Sequence, residues 1–253
     1  MLLLELLLKL NSELPMAEVK TCAGAELIES LPVEVAEQIS QDPNELKDCD
    51  VIILLGKLPD EFFEDFDGTV IALQGFEPNF EDTITLQDPM MEYLYRLAER
   101  NRGLAINIGL PMAIYGKAGV DMLMQETRSI YSFEQYDDSI LPMRIAFNMH
   151  FYKNNLPGNV LQRDVEALRK LATVNTRINP ISTVFVVDIF APTKVTFPTG
   201  IEFTDVEQDF SLEDITQNHI AARITNGNFY TIAGDYLHIR TFQILQAIKE
   251  ALS

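Results

Sequence analysis

Two short runs, DVIILLG from Asp50 and GTVIALQGF from Gly68, constrain this chain more than anything else in it. Each holds several apolar residues without interruption between polar or turn-forming ends, the pattern of a short strand buried on both faces. With the helical pattern ELIESLPVEVAEQISQ ahead of them and the acidic loop PDEFFEDFDG between them, they predict a small α/β layout. The 253 residues are 47% hydrophobic and 23% charged, enough to bury a sizeable core in one large domain or two small ones.

The chain carries a net charge of −19, concentrated in its first hundred residues. A nucleic-acid grip needs a basic face that releases counterions, so this balance excludes it. Cys22 and Cys49 are too few for a disulfide scaffold and have no metal-ligand spacing, which suits a reducing compartment. The opening MLLLELLLKL is interrupted by Glu5 and Lys9 and is about half the roughly 20 residues a spanning helix needs, so no membrane-spanning segment is expected there. Its leucines cover most of a helical circumference, suited to packing on its own domain or on another subunit.

The stretch DPMMEYLYRLAERNRG begins a helix at Asp88 and Pro89, an N-cap acceptor followed by a residue with pre-set φ. Met91, Leu94, Leu97 and Asn101 form its inner stripe. Beyond it, Gly103, Gly109 and Pro111 interrupt the helical pattern, and GLAINIGLPMAIYGKAGVDML reads as a kinked helical pair. Residues 143–152 alternate, with Met143, Ile145, Phe147, Met149 and Phe151 on one face, which predicts a half-buried strand. A helix from Asn159 comes next, its stripe being Val160, Leu161, Val165, Leu168 and Leu171, and then the strand STVFVVDIF. Further on come an extended run over KVTFPTGIEF, a helix from Ser211 through SLEDITQNHIAARI, and a closing helix with Phe242, Leu245, Ile248 and Leu252 inward.

Chemical signatures are scarce. G-x-G-x-x-G, G-x-x-x-x-G-K-[ST] and G-x-S-x-G do not occur. His150, His219 and His238 are too far apart in sequence to form the i, i+4 pair of a metal site. Asp60, Glu61, Glu64, Asp65 and Asp67 could collect a hard cation, but Phe62, Phe63 and Phe66 interleave them, so they read as a solvated acidic loop. No catalytic, cofactor-binding or metal-ligating residue is assigned from the sequence.

The segment from Asp88 to Leu123 resembles the helical segment of the baseplate J family, the wedge proteins of contractile-tail bacteriophages and related injection machines. Leu94, Ala98, Arg100, Ile106 and Asn107 carry the likeness, and Ala118, Gly119 and Asp121 hold three places of an A-x-G-x-D-L-D ending. RIAFNMHFYKNN, VLQRDVEALRKL, NPISTVFVVDIFAPTKVTF and GDYLHIRTFQILQAI are similar to its later part, with Pro180 and the Ala191–Pro192 pair in place. The resemblance covers residues 85–253 and implies a helical segment (85–140) and a C-terminal α+β domain (141–253); the acidic N-terminal region (1–84), read as α/β from its own pattern, lies outside it, and the whole is expected to be of α+β class. It implies a structural wedge protein without catalysis or cofactor, assembled in the host cytoplasm into the virion's tail baseplate in several copies among other baseplate and tail proteins. The alternatives are another tail component such as a terminator, or a soluble α/β enzyme with an unrecognised site that uses DVIILLG as its floor.

Overall fold

The computed structural model describes residues 19–22, 39–40, 46, 48–54, 58–133, 141, 143–151, 159–198, 203–205, 220–225 and 228–252. Helices with one parallel and one mixed sheet give the expected α+β class. The chain divides into two compact units, Met1–Pro89 with Arg240–Ser253, and Met90–Ile239.

The first unit holds a five-stranded sheet of order β2-β1-β3-β4-β5, built from Val19–Cys22 (β1), Ile39–Ser40 (β2), Val51–Leu54 (β3), Thr69–Leu73 (β4) and Thr83–Leu86 (β5). Every pair in it is parallel. The two apolar runs are the central strands β3 and β4, where continuous burial leaves no room for alternation. The acidic loop forms a 3-10 turn, Asp60–Asp65. Phe62, Phe63 and Phe66 enter the core while Asp60, Glu61, Glu64, Asp65 and Asp67 face water. Gly68 is required there, because a Cβ would lie 2.7 Å from the Cys49 and Asp50 carbonyl oxygens. The closing helix α4, Tyr236–Ala251, sends Arg240 into this unit. Its Nη1 donates to the Gln87 carbonyl at 2.7 Å, and its Nη2 lies 3.7 Å from the Asp88 carboxylate. The phase of α4 differs from the expected one: Leu245 and Ile248 point inward with Ile244, whereas Phe242 and Leu252 are exposed. Leucine and phenylalanine content alone does not fix the stripe when the helix is apolar on more than one side.

The second unit is built on a seven-stranded sheet of order β10-β11-β12-β9-β6-β8-β7. Its strands are Ala105–Leu110 (β6), His150–Phe151 (β7), Thr173–Ile178 (β8), Val184–Phe190 (β9), Phe203–Asp205 (β10), Ile220–Thr225 (β11) and Phe229–Asp235 (β12). The helices are α1, Pro89–Arg100, α2, Gly116–Ser132, and α3, Asn159–Leu168. One sheet face, carrying Ile106, Ile108, Val187, Ile189 and Ile232, shares a buried cluster with Leu94 and Leu97 of α1, Met122 and Leu123 of α2, and Val165 and Leu168 of α3. Asn101, at the end of the α1 stripe, is buried because its amide is fully used: Nδ2 donates to the Leu97 and Thr196 carbonyls, and Oδ1 accepts from the Thr196 amide.

The structure departs from the expected elements in five places. The kinked helical pair is instead strand β6, a 3-10 turn Met112–Tyr115 and helix α2. Ile106, Ile108 and Leu110 face the core while Ala105, Asn107 and Gly109 face away, a period of two that the small residues Ala105 and Gly109 disguise. The predicted strand 143–152 shrinks to His150–Phe151, because Phe147 adopts a left-handed φ of 60° that no strand accommodates. IAARI is strand β11 and pairs antiparallel with β12, so the helix expected from Ser211 does not extend through it; residues 211–219 lie outside the described ones. Within KVTFPTGIEF, residues 194–198 form no strand, residues 199–202 lie outside the described ones, and Phe203 opens strand β10. The helix expected over 26–41 fails at Ile39–Ser40, which is strand β2 paired parallel with β1; the rest of that segment and the Leu-rich opening lie outside the described residues.

Candidate binding cleft

Strand β8 alternates in step with β6: Thr176 and Ile178, beside Ile108 and Leu110, are buried, while Asn175 and Arg177 stand on the sheet face away from the helices. Register carries this polar character across the sheet, since Asn107 of β6 pairs with Asn175 of β8 and Asp188 of β9, and Asp188 pairs with Thr231 of β12. Asn175 Nδ2 donates to Asn107 Oδ1 at 3.2 Å, and Thr231 Oγ1 donates to Asp188 Oδ1 at 3.1 Å.

Arg177 is braced on two sides. Its Nε donates to Asn179 Oδ1 at 3.1 Å and its Nη2 to Asp188 Oδ2 at 3.4 Å. The side chains of the ion pair are 21% and 40% exposed, so water screens it and its chief effect is orientation. Asn179 is itself fixed, its amide donating to the Leu110 carbonyl at 2.9 Å and its side chain lying over Gly109. No described residue takes Nη1 of Arg177. A planar guanidinium held in this way presents a preset fork to a carboxylate or phosphate.

Beside the fork lies a cleft of about 640 Å³, walled by Phe147, Met149, Phe151, Ile181 and Val186 with Asn148, Asn179 and Pro180. Phe147 and Pro180 also border a second hollow of about 350 Å³ that includes Thr127, Arg128 and Ser182. The ring of Phe147 stands between the two and meets Tyr131 edge to face at 6.3 Å. An apolar recess with a few converging polar groups is the usual form of a small-molecule site.

His150 lies with Nδ1 2.8 Å from the Met143 sulfur, His238 is in α4, and His219 is outside the described residues, so the structure does not bring the histidines together. Cys49 is buried in the first unit, and the Cys22 side chain is outside the described residues. Among the described residues, no group of three or more His, Cys, Asp or Glu is placed to hold a metal, and no helix is long and apolar enough to cross a membrane. Sequence reasoning missed Arg177 and Asn179 entirely. The signal was the alternation in TVNTRIN, whose polar members lie at every second position from Asn175.

The architecture, a parallel five-stranded sheet and a mixed seven-stranded sheet with helices, recurs in known proteins. Three solved structures share it along nearly their whole length. A probable aspartate-semialdehyde dehydrogenase from Pseudomonas aeruginosa matches at TM-score 0.69 and 14% identity, over 96% of this chain and 95% of that one. Aspartate semialdehyde dehydrogenase II from Vibrio cholerae matches at 0.70 and 11%, over 97% and 94%. The Francisella tularensis aspartate semialdehyde dehydrogenase matches at 0.62 and 12%, over 98% and 97%. No protein-family model and no curated relative matches the sequence. Identities this low show the fold alone.

The likeness overturns the wedge function, and with it the expectation of a protein without catalysis and its place in a virion, because the solved structures sharing the architecture from end to end are named as aspartate-semialdehyde dehydrogenases. The baseplate and tail partners rested on the resemblance and have no support of their own. The unrecognised-site enzyme, weighed as the alternative, fits the structure better. In the turn after β4 the Gly75 amide is taken by the Glu77 carboxylate at 2.8 Å, so that turn does not offer it to a phosphate. The hollow at the amino ends of β3 and β4 is lined by Asp48, Asp50 and Asp67, which repel an anion and lie at the opposite end from the usual crevice of a parallel sheet.

Proposed function

We propose that this chain is an enzyme of the α/β dehydrogenase-like class that binds a small carbonyl-bearing carboxylate in the second unit's cleft, with Arg177 holding the carboxylate. The observation that carries the reading is the braced guanidinium: Asn179 and Asp188 fix its plane at the edge of a recess, so the ligand does not have to pay the entropy of orienting it. The carbonyl enters from the similar solved structures, which are named as semialdehyde dehydrogenases. Bound by its carboxylate, such a molecule extends along Asn148 and Asn179, whose amides can donate to a carbonyl oxygen.

The test is depletion of C4 and C5 oxo-carboxylates followed by proton NMR, with and without nicotinamide dinucleotides, in the wild type and in Arg177→Gln. Turnover or binding that Arg177→Gln weakens at least tenfold supports the reading. Neither turnover nor binding of any such carboxylate, or affinity indifferent to Arg177→Gln, sinks it.

A further inference from the structure

The cleft's wall is more apolar than a C4 amino acid requires. Phe147, Met149 and Phe151 are 69%, 47% and 59% exposed and succeed one another along one short segment, with Ile181 and Val186 completing the wall. Exposed apolar side chains grouped in this way mark a surface that is covered in function. The recess, about 640 Å³, falls within the range of about 300–1,000 Å³ that accommodates ligands of drug size.

Phe147 is held in place at a conformational cost. Its φ of 60° lies in the left-handed region, which a bulky aromatic residue rarely adopts. A wholly buried carboxylate explains why the turn persists: Glu126 Oε2 of α2 accepts both the Ile145 and the Ala146 amides, each at 2.8 Å. These amides would otherwise be buried donors, and their capture fixes the backbone immediately before Phe147. Strain that a buried group over-determines beside a recess is a functional signature.

We infer that the ligand is a carboxylate with an aryl or branched-alkyl body lying against Phe147, and that Glu126 is the positioning residue that sets this ring. The inference rests on the carboxylate reading above and names its substrate class: the charged end on Arg177, the apolar body along Phe147, Met149 and Phe151. A ligand of aspartate size would leave that wall in water.

Calorimetric titration of the full chain with 3-phenylpropanoate and with propanoate tests it. The expected result is at least tenfold tighter binding of 3-phenylpropanoate, a preference that Phe147→Gly reduces to less than about threefold. Glu126→Ala should erode the preference as Phe147→Gly does, and Glu126→Gln should retain it, because both amides use a single oxygen that the amide side chain keeps. The chain has no tryptophan, so Phe147→Trp supplies a reporter that needs no ligand. Its emission should be unchanged by Glu126→Gln and shifted to the red by Glu126→Ala. Equal affinity for the two acids, abolished for both by Arg177→Gln, would overturn the apolar body and leave the carboxylate reading standing. Binding of neither acid would overturn both. An emission indifferent to Glu126→Ala, or a preference that survives it, would remove Glu126 from the site.

Discussion

Gly109→Ala isolates the brace behind Arg177. A Cβ at this position would meet Asn179 Nδ2 at 2.3 Å and the Val186 carbonyl oxygen at 3.0 Å. The backbone of β6 accepts alanine, so the clash is relieved by moving the Asn179 amide, the one mobile atom group in contact. Overpacking of this kind costs about 1–3 kcal/mol of stability. Displacing Asn179 also removes the acceptor from Arg177 Nε. A hydrogen bond to a charged group contributes about 1.5–3 kcal/mol, and partial exposure of Arg177 lets water recover part of that, leaving about 1 kcal/mol. Carboxylate affinity should therefore fall roughly fivefold to tenfold. Urea denaturation measures the first effect and calorimetric titration the second. The double variant Gly109→Ala/Asn179→Ala removes the clash, so it should regain stability while affinity stays low. Wild-type carboxylate affinity in Gly109→Ala, or recovery of affinity along with stability in the double variant, would refute the brace.

Leu168→Ala, at a fully buried position on α3, should cost about 2–5 kcal/mol, while Glu166→Ala on the exposed side of the same helix should stay within about 0.5 kcal/mol. Equal tolerance in urea melts would show that the helix phase is wrong. Arg240→Ala leaves Asp88 buried without its guanidinium and should destabilise by about 3–5 kcal/mol; a loss below about 1 kcal/mol would mean that the pair is solvated. Burial raises the Tyr93 hydroxyl above the ordinary phenol value of about 10, so the folded chain keeps a proton that the unfolded chain releases in alkali. The stability it contributes is present below that pH and is lost above it, so denaturation midpoints should fall less steeply above about pH 10 in Tyr93→Phe than in the wild type. Parallel curves would refute this.

Elements were legible in the sequence where their side chains have one environment. The strands around Ile52 and Ile71 are buried on both faces, and α3 has a single inner stripe, so composition and period identify them. Strand β6 was hidden because two of its three outward positions are the small residues Ala105 and Gly109, leaving Asn107 alone to mark the polar face, and Gly109 owes its identity to Asn179, seventy residues away in sequence. The 143–151 segment alternates like a strand for a different reason: Ile145 enters the core, whereas Phe147, Met149 and Phe151 line a recess. Arg177, Asn179 and Asp188 come from two strands and a loop whose adjacency is set by the β6-centred pairing, a long-range fact that no local motif encodes. The baseplate resemblance rested on spacings of common helix and strand residues, which many α/β chains can satisfy, and so carried no information about the site.

The central claim is that Arg177 receives a carboxylate. A crystal structure of the full chain with an oxo-carboxylate or 3-phenylpropanoate bound tests it most directly. The expected result is a carboxylate oxygen about 2.7–2.9 Å from a terminal guanidinium nitrogen of Arg177, with the carbon chain running into the recess beside Phe147. A carboxylate bound elsewhere, with Arg177 still engaged only by Asn179 and Asp188, would contradict it.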